Sequence, residues 1–265
     1  MPATPTGSAP SESDPCALSI AISQIWDELG DRQTPPFPES SIALPKAPRA
    51  GTIGRFGYSH SFLGGRTMSM PSPTDIRRIA VIGAGVIGSG WVTHFLAQGF
   101  EVTVADPAPG AKDRLAAFIQ NAWPAVRELG MAPNADPDAW TFLPDTESAT
   151  EGAEFVQENG PDNEDVKREI YAQIDAVAPP DVPIASSSSA LLMTPIQKGL
   201  RHPERCFLGH PFNPPHMIPL VEVSGGEETD SAVLDWAVSF YDAIGKKSAR
   251  LNREISGHIA GRLGA

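Results

Sequence analysis

Residues 78–106, with the sequence RIAVIGAGVIGSGWVTHFLAQGFEVTVAD, decide the fold. The first five residues form an apolar run of the kind that makes a buried strand, and a glycine-rich turn follows directly. The stretch after the turn predicts a helix over 86–98, and the next apolar run predicts a strand over 101–105. A strand, a helix and a second strand in this order indicate a βαβ unit of a parallel sheet.

The same alternation of apolar runs and helical stretches continues from Ile76 onward. We expect further strands, in chain order, at 140–143, 153–157, 182–185, 205–209, 217–223 and 247–251. We expect further helices at 110–129, 163–177 and 229–244. The predicted fold class is α/β, with a Rossmann-like, doubly wound and mostly parallel sheet over residues 76–253.

The first 75 residues differ in composition from the rest of the chain. They are rich in Pro, Ser and Gly, and their one helical candidate lies at 17–29. Such a composition is typical of segments that cannot bury enough apolar surface to fold. We therefore expect residues 1–75 to form a mostly disordered leader.

The turn between the first strand and helix places Gly83, Gly85 and Gly88 in the spacing G-x-G-x-x-G. In a dinucleotide-binding turn, the first glycine permits the tight bend, the second lets the backbone approach the pyrophosphate, and the third lets the helix pack closely on the strand. The amide groups at the start of that helix then point at the phosphates. We expect Gly83, Gly85, Val86, Ile87 and Gly88 to bind the cofactor.

Asp106 closes the next strand, at the usual position about 20 residues beyond the first glycine. Its carboxylate would accept hydrogen bonds from the ribose hydroxyls and repel a 2′-phosphate, and no Arg follows it directly. This favours NAD over NADP. The glycine turn alone leaves FAD open as an alternative.

Charge and composition exclude several classes of partner. The chain of 265 residues has 20 Lys and Arg against 32 Asp and Glu, so a net charge of −12 argues against nucleic acid. No apolar run approaches the ~18 to 20 residues needed to cross a membrane. We expect no membrane partner, no metal and, in the absence of a recognised targeting signal, a soluble cytoplasmic protein. Two cysteines, Cys16 and Cys206, exclude a disulfide framework and favour a reducing compartment.

The densest polar cluster is HPFNPPH at 210–216, which follows a predicted parallel strand. A histidine at the carboxyl end of such a strand lies where open α/β sheets bind ligands, and its ring can accept a proton near neutral pH. Glu222 is an acid in an otherwise apolar strand and could orient that ring. The serine run 186–189 ends another strand and offers hydroxyl groups to a substrate oxygen.

Together these motifs resemble the L-3-hydroxyacyl-CoA dehydrogenase superfamily, in particular its carnitine dehydrogenase and gulonate 3-dehydrogenase (lambda-crystallin) branch. The resemblance extends from about Arg78 to Leu263 and rests on AVIGAGVIGSGW, FVQENGPDNEDVKREIYAQID, IASSSSALL, CFLGHPFNPPHMIPLVEV and SGHIAGRL. It implies an NAD-dependent enzyme that oxidises an L-3-hydroxy group of a small-molecule substrate. The substrate could be a 3-hydroxyacyl-CoA or a small 3-hydroxy acid such as carnitine or gulonate.

The resemblance also implies roles for individual residues. His210 matches the catalytic base, Glu222 the carboxylate that orients it, and Ser189 the serine that contacts the substrate oxygen. Asn213 matches an asparagine that positions the substrate carbonyl. Glu158 and Lys167 match positions near the nicotinamide end of the cofactor site. A basic surface for CoA could come from Lys167, Arg168, Lys198, Arg201 and Arg205.

Two departures from the family pattern bear on activity. Gly261 stands where the family has an asparagine before Arg-Leu. The family also continues through a helical domain that forms its dimer interface and closes the substrate cleft, whereas this chain stops at Ala265. Residues 254–265 are therefore expected to be the start of a truncated helical domain. The alternative function is a Rossmann protein that binds nucleotide with little or no turnover.

Overall fold

The computed structural model of the protein describes residues 69–263. Its strands are β1 Arg78–Ile82, β2 Glu101–Ala105, β3 Trp140–Leu143, β4 Phe155–Glu158, β5 Ile184–Ser186, β6 Cys206–Pro211, β7 Leu220–Gly225 and β8 Lys247–Arg250. Its α-helices are α1 Val86–Ala97, α2 Ala111–Leu129, α3 Thr146–Thr150, α4 Glu164–Val177, α5 Met193–Gln197, α6 Ser231–Ala243 and α7 Ala260–Leu263, with a 3-10 turn at Pro203–Arg205.

The eight strands form a single sheet in the order β3-β2-β1-β4-β5-β6-β7-β8. All neighbouring strands are parallel except β6 and β7, which run antiparallel with His210 opposite Glu222. The chain builds outward from β1 to β3 and then returns to place β4 on the other side of β1. This reversal creates a crevice at the carboxyl ends of β1 and β4, where doubly wound sheets bind ligands.

The core lies on both faces of the sheet, as the alternation of side chains along β1 shows. Ile79 and Val81 contribute to one cluster together with the aromatic side chains of α1 and α6. Ala80 and Ile82 contribute to the other, together with α4 and α5. Because the strands are covered on both faces, they read in the sequence as continuous apolar runs.

Every strand and long helix predicted between residues 76 and 253 is present; β1, β2 and β3 have the predicted bounds, and the other elements have shifted ends. The largest shift is in β7, which begins at Leu220 rather than 217, because residues before it belong to the proline-containing loop after β6. Prediction missed the short helices α3 and α5, whose five residues each are too few to show helical periodicity.

The folded domain also begins earlier than Ile76. Met70 packs against the core, and the indole Nε1 of Trp236 in α6 donates to the carbonyl of Pro71 at 2.7 Å. Contacts of the folded domain therefore extend to residues before the predicted boundary at 75/76. The predicted helix at 17–29 and the rest of the expected leader up to residue 68 lie outside the described residues.

Two further findings concern the described part of the chain. Between residues 69 and 263, no helix is both long and apolar enough to cross a membrane. In the same range, no group of three or more His, Cys, Asp or Glu is arranged to hold a metal ion.

Candidate active site and dinucleotide cleft

Two adjoining cavities lie along the carboxyl ends of the parallel strands. The larger, of about 630 Å³, is lined by Gly83, Gly85 and Asp106. The smaller, of about 340 Å³, is lined by Ile87, Asp162, Ser187, Ser189, His210, Phe212 and Asn213, among others. Both cavities are lined by Asn159 and Gly160, so the cavity at the glycine turn and the cavity at His210 meet at this loop.

The glycine turn is packed so closely that two of its glycines have no room for a side chain. Gly83 has a φ of 91°, and a Cβ there would lie 2.8 Å from the backbone of Asn159. A Cβ on Gly88 would lie 1.9 Å from the carbonyl oxygen of Gly83. Gly85 differs, since a Cβ there would meet nothing within 4 Å. Its Cβ position is empty space in the larger cavity, which suits the close approach of a phosphate.

The N-terminus of α1 lacks the side-chain cap that other helices of this domain have. Asp145, Asn163 and Asp230 each accept a hydrogen bond from the first turn of α3, α4 and α6. The N-cap of α1 is Gly85, which has no side chain for this role. Uncapped amide groups at a helix start form a site for an anion, so the turn fits the pyrophosphate of a dinucleotide.

Asp106 lies at the end of β2 and also lines the larger cavity. Its Oδ2 accepts a hydrogen bond from the Ala84 amide at 2.7 Å, and its Oδ1 accepts one from the Ala108 amide at 2.8 Å. These bonds fix the carboxylate against the glycine turn. Since each carboxylate oxygen can accept a second hydrogen bond, Asp106 can still receive the ribose hydroxyls.

At the other end of the cleft, His210 and Glu222 form a hydrogen-bonded pair across β6 and β7. The distance from His210 Nδ1 to Glu222 Oε2 is 2.9 Å, and only 3% of Glu222 is exposed. A carboxylate at Nδ1 favours the tautomer with the proton on that atom, which leaves Nε2 free to accept a proton. Burial lowers the pKa of His210, and the hydrogen bond that its ring donates to Glu222 raises that pKa in part. The lowered pKa favours the neutral ring, whose Nε2 can accept a proton.

Ser189 and Asn213 line the same cavity as His210, as the sequence predicts. The Ser189 hydroxyl donates to Asp162 Oδ2 at 2.8 Å, and the Ser189 amide donates to the same oxygen at 3.1 Å. Burial alone would raise the pKa of Asp162, but hydrogen bonds from Ser189 and Ser188 and the charge of Lys167 lower it overall. A carboxylate therefore stands beside the predicted substrate pocket.

Asp162 was not predicted as a residue of this cavity, and Ser187 was predicted only as a member of the serine run 186–189. The Ser187 hydroxyl donates to Asn159 Oδ1 at 2.7 Å and accepts from Trp91 Nε1 and Gln157 Nε2. Its hydrogen-bonding capacity is used within the protein, so it serves as a structural support for the cleft. A run of four serines does not show which hydroxyl is free to bind substrate. Asp162 lies in the loop after β4, where no motif of fixed spacing marks it.

Glu158 and Lys167 form a buried ion pair beneath the point where the two cavities meet. Lys167 Nζ lies 2.8 Å from Glu158 Oε1 and 3.0 Å from the carbonyl oxygen of Gly160, and the Gly160 amide donates to the same Glu158 oxygen. Neither side chain lines either cavity. The geometry lets them hold the Asn159–Gly160 loop in place from below.

The burial of two basic residues also corrects an expectation about a CoA surface. Lys167 and Arg205 are both fully buried, and Arg205 is paired with Asp175 at 2.7 Å. The suggestion that these two residues offer surface charge to CoA is therefore wrong. Arg168, Lys198 and Arg201 are the remaining members of that group.

The fold and the cleft define the class of this protein: it is a doubly wound dinucleotide-binding domain with a histidine–carboxylate pair at the far end of the cleft. More specifically, the chain belongs to the family described as 3-hydroxyacyl-CoA dehydrogenase, NAD binding domain, whose sequence profile matches residues 78–255. The resemblance seen in the sequence and the choice of NAD as cofactor are confirmed by this match.

Curated relatives in this family carry the name L-carnitine dehydrogenase. The protein of that name from Streptomyces coelicolor is 50% identical over 194 residues, which are 73% of this chain and 61% of that protein. The one from Pseudomonas putida is 43% identical over 194 residues, which are 73% of this chain and 60% of that protein. The chain thus spans about three fifths of the length of these relatives.

Solved structures of similar fold confirm the Rossmann-like fold class. A structure titled as 5-formyl-3-hydroxy-2-methylpyridine 4-carboxylic acid 5-dehydrogenase, an NAD⁺-dependent dismutase, matches with a TM-score of 0.67 at 29% identity, covering 71% of this chain and 61% of that one. The 3-hydroxybutyryl-CoA dehydrogenase of Escherichia coli matches with a TM-score of 0.61 at 26% identity, covering 66% of this chain and 38% of that one.

Proposed function

We propose that this chain carries the cofactor-binding and proton-accepting part of an NAD-dependent dehydrogenase that oxidises the secondary hydroxyl of a carnitine-type 3-hydroxy acid to a ketone. The observation that carries the proposal is the 2.9 Å hydrogen bond between His210 and the buried Glu222, with His210 lining a cavity that adjoins the one at the glycine turn. The curated L-carnitine dehydrogenases that match the chain support this choice of substrate.

His210 would act as the base of the oxidation. Its Nε2 accepts the proton of the substrate hydroxyl, because Nδ1 is held by Glu222. The buried carboxylate of Glu222 stabilises the imidazolium that results. NAD, when bound along the cleft between Gly83 and Gly160, supplies the acceptor for the hydride that leaves the hydroxyl-bearing carbon. In the reverse direction His210 returns the proton to the carbonyl oxygen.

Ser189 and Asn213 would orient the substrate oxygen. The Ser189 hydroxyl donates to Asp162, and on turning away from that carboxylate it can donate to the substrate oxygen while His210 takes the hydroxyl proton. Asn213 is exposed on the loop after β6 and can offer its amide to a carbonyl group. This arrangement gives these residues the roles that the resemblance implies, and Asp162 holds the Ser189 amide.

The lining of the smaller cavity favours a small cationic hydroxy acid over an acyl-CoA. Asp162 contributes a carboxylate and Phe212 an aromatic ring, and these two groups attract a quaternary ammonium such as that of carnitine. CoA is polyanionic and would meet that carboxylate unfavourably. Two of the five basic residues considered for CoA are also buried.

One observation favours a second candidate function, which is nucleotide binding with little turnover. Gly261 in α7 stands where the resemblance implies an asparagine, and it offers no polar side chain to the site. On this reading, the chain would bind NADH but release no product.

The two candidates are separated by replacing His210→Asn in the full chain. Asparagine retains a polar group of similar reach but cannot act as a base near pH 7. We expect oxidation of L-carnitine with NAD to fall by about 10² or more, while the Kd for NADH, measured by fluorescence titration, stays within about twofold of wild type.

A matched control is His202→Asn, since His202 pairs only with Glu204 on the surface and lines neither cavity. It should leave both the rate and the Kd unchanged. Parallel assays with 3-hydroxyacyl-CoA test the substrate class. NADH binding without oxidation of any of these substrates by the wild-type chain would favour the second candidate.

A further inference from the structure

A second histidine, His258, lies next to the proposed base. The centroids of the His258 and His210 rings are 5.0 Å apart, with an angle of 41° between the ring planes. His258 is 1% exposed and has a φ of 49°, a left-handed conformation that is uncommon outside glycine. It is the one non-glycine residue with positive φ between residues 69 and 263. Backbone strain of this kind, next to an active site, is a reason to look for a role.

The ring of His258 is fixed to the serine loop. Its Nε2 lies 2.9 Å from the carbonyl oxygen of Ser188, which is the residue before Ser189. Because a carbonyl only accepts, this contact places a proton on Nε2. The same ring therefore contacts the proposed base on one side and holds the backbone that carries the substrate-contacting serine on the other.

The turn that contains His258 also reaches Glu222. Gly257, with a φ of 75°, and His258 turn the chain so that the Ile259 amide donates to Glu222 Oε1 at 2.8 Å. Glu222 thus has one oxygen bound to His210 and the other bound to this turn. The left-handed conformation of His258 is what allows its ring and the next amide to face the pair together.

The chain just before His258 is bound to the start of α5, which follows the serine run. Glu254 accepts hydrogen bonds from the amides of Met193 and Thr194 and from the Thr194 hydroxyl, so it caps the start of α5. Residues 254–259, which we name the site turn, therefore bind the start of α5 through Glu254, the Ser188 carbonyl through His258 and Glu222 through the Ile259 amide.

We propose that His258 is a positioning residue of the active site, whose ring holds the Ser188–Ser189 backbone and the ring of His210 in one working arrangement. This inference rests on the dehydrogenase function proposed above. It assigns to the site turn a direct part in arranging the groups that receive the substrate hydroxyl.

His258 also affects the charge on His210. Three ionisable groups face His210: Glu222 from β7, Asp162 from the loop after β4, and His258 from the site turn. Burial is the largest influence on the pKa of His210 and lowers it, and the electrostatic interaction with His258 lowers it as well. Glu222 and Asp162 act in the opposite direction. His258 therefore helps keep His210 neutral and able to accept a proton.

Two variants of the full chain separate positioning from simple packing. His258→Gln keeps an amide N–H that can reach the Ser188 carbonyl but removes the ring. His258→Phe keeps a ring of similar size but removes the donor. A positioning role predicts that kcat/KM for carnitine oxidation falls about ten- to a hundredfold in the phenylalanine variant and is largely restored in the glutamine variant. A packing role predicts the reverse order.

A second measurement does not need turnover. Titration of the His210 ring by NMR, with the His210→Asn variant to assign its signal, should give a midpoint at higher pH in both variants than in wild type. Hydrogen exchange at the Ser189 amide should be faster in the phenylalanine variant only. His202→Phe, on the surface, is the matched control and should change neither.

These readouts keep the two proposals distinguishable. If the chain oxidises no substrate but the His210 midpoint and Ser189 exchange change as expected, the dehydrogenase function fails while the positioning contact stands. If His210→Asn abolishes activity but neither His258 variant alters the His210 midpoint or the order of kcat/KM values, the role of His258 is overturned. Should the phenylalanine variant fail to fold, the midpoint and kcat/KM of the glutamine variant decide the matter.

Discussion

The two ends of the cleft are built by different means. At the glycine end, the backbone itself forms the site: Gly83 and Gly88 pack against neighbouring backbone with no space for a Cβ, and Gly85 leaves open space. At the histidine end, side chains form the site, and they come from β6, β7, the loops after β4 and β5, and the site turn. The three glycines that form the turn lie within six consecutive residues, 83–88. The residues of the histidine end come from segments up to about a hundred residues apart.

A site built from backbone at fixed spacing is easier to recognise in one sequence than a site built from side chains that the fold brings together. Stereochemistry demands glycine at fixed spacing, so the dinucleotide turn leaves a visible pattern. A histidine and a carboxylate have no fixed spacing when the sheet topology brings them together. The sequence suggests Glu222 as the orienting acid, but its contact with His210 follows from the antiparallel register of β6 and β7, which places the two residues opposite each other.

The largest expected effect comes from the ion pair beneath the junction of the two ends. Replacement of Lys167→Met leaves the Glu158 carboxylate buried without its partner, since both side chains are almost fully buried. We expect the free energy of unfolding to fall by about 3 to 5 kcal/mol, as measured by urea denaturation.

The double variant Glu158→Gln with Lys167→Met removes the unpaired charge and should recover a large part of that loss. If Lys167→Met alone is as stable as wild type, the pair does not support the junction. Cofactor affinity and His210 geometry should both suffer in the single variant, because the Asn159–Gly160 loop borders both cavities.

The next effect distinguishes two glycines of the turn. A methyl group on Gly88 would overlap the carbonyl oxygen of Gly83, so Gly88→Ala should lower the free energy of unfolding by about 3 kcal/mol. Thermal and urea denaturation measure this change.

Gly85→Ala is the matched variant, because its methyl group meets no protein atom within 4 Å. It should unfold like wild type and bind NADH about tenfold more weakly, since it occupies space meant for the phosphates. Equal losses of stability in the two variants would contradict the division of roles within the turn.

At the histidine end, Glu222→Gln should lower kcat about ten- to fiftyfold, because an uncharged partner stabilises the imidazolium less. The hydrogen bond and the charge of Glu222 both raise the pKa of His210, so their loss lowers that pKa further. His210 then stays neutral to lower pH, and the acid limb of the pH–rate profile moves to lower pH.

The NMR titration midpoint of His210 should move in the same direction. A midpoint that moves to higher pH would show that Glu222 does not act on His210 as the structure indicates. Cofactor affinity, which depends on the other end of the cleft, should not change.

The smallest expected effect is at Gly261. A Cβ there meets nothing within 4 Å, so Gly261→Asn should change the free energy of unfolding by less than about 0.5 kcal/mol. If the asparagine implied by the family resemblance supports turnover, this variant should oxidise carnitine faster than the wild-type chain. An unchanged rate would show that Gly261 does not limit activity.

Most of the fold could be predicted from the sequence, because buried parallel strands read as apolar runs and each is followed by turn residues. The short helix α5 could not, since five residues show no periodicity and its cap is Glu254, about sixty positions away. The cofactor residues followed from the glycine pattern. The pairing of His210 with Glu222 was expected from the position of Glu222 as an acid in an apolar strand and from the family resemblance.

Asp162 and His258 escaped prediction for the same physical reason. Their importance depends on which groups surround them in space, and neither has a distinctive spacing along the chain. Lys167 shows the opposite error, because its charge suggested a surface role while it is buried against Glu158.

The contacts at the borders of the domain limit where the gene can be cut for crystallisation. A shortened version that starts at Ile76 would remove Pro71 and leave the Trp236 indole without its acceptor. One that stops at residue 253 would remove Glu254, which caps α5. It would also remove Ile259, whose amide donates to Glu222. Fragments prepared for binding studies should therefore extend from about residue 70 to at least residue 259.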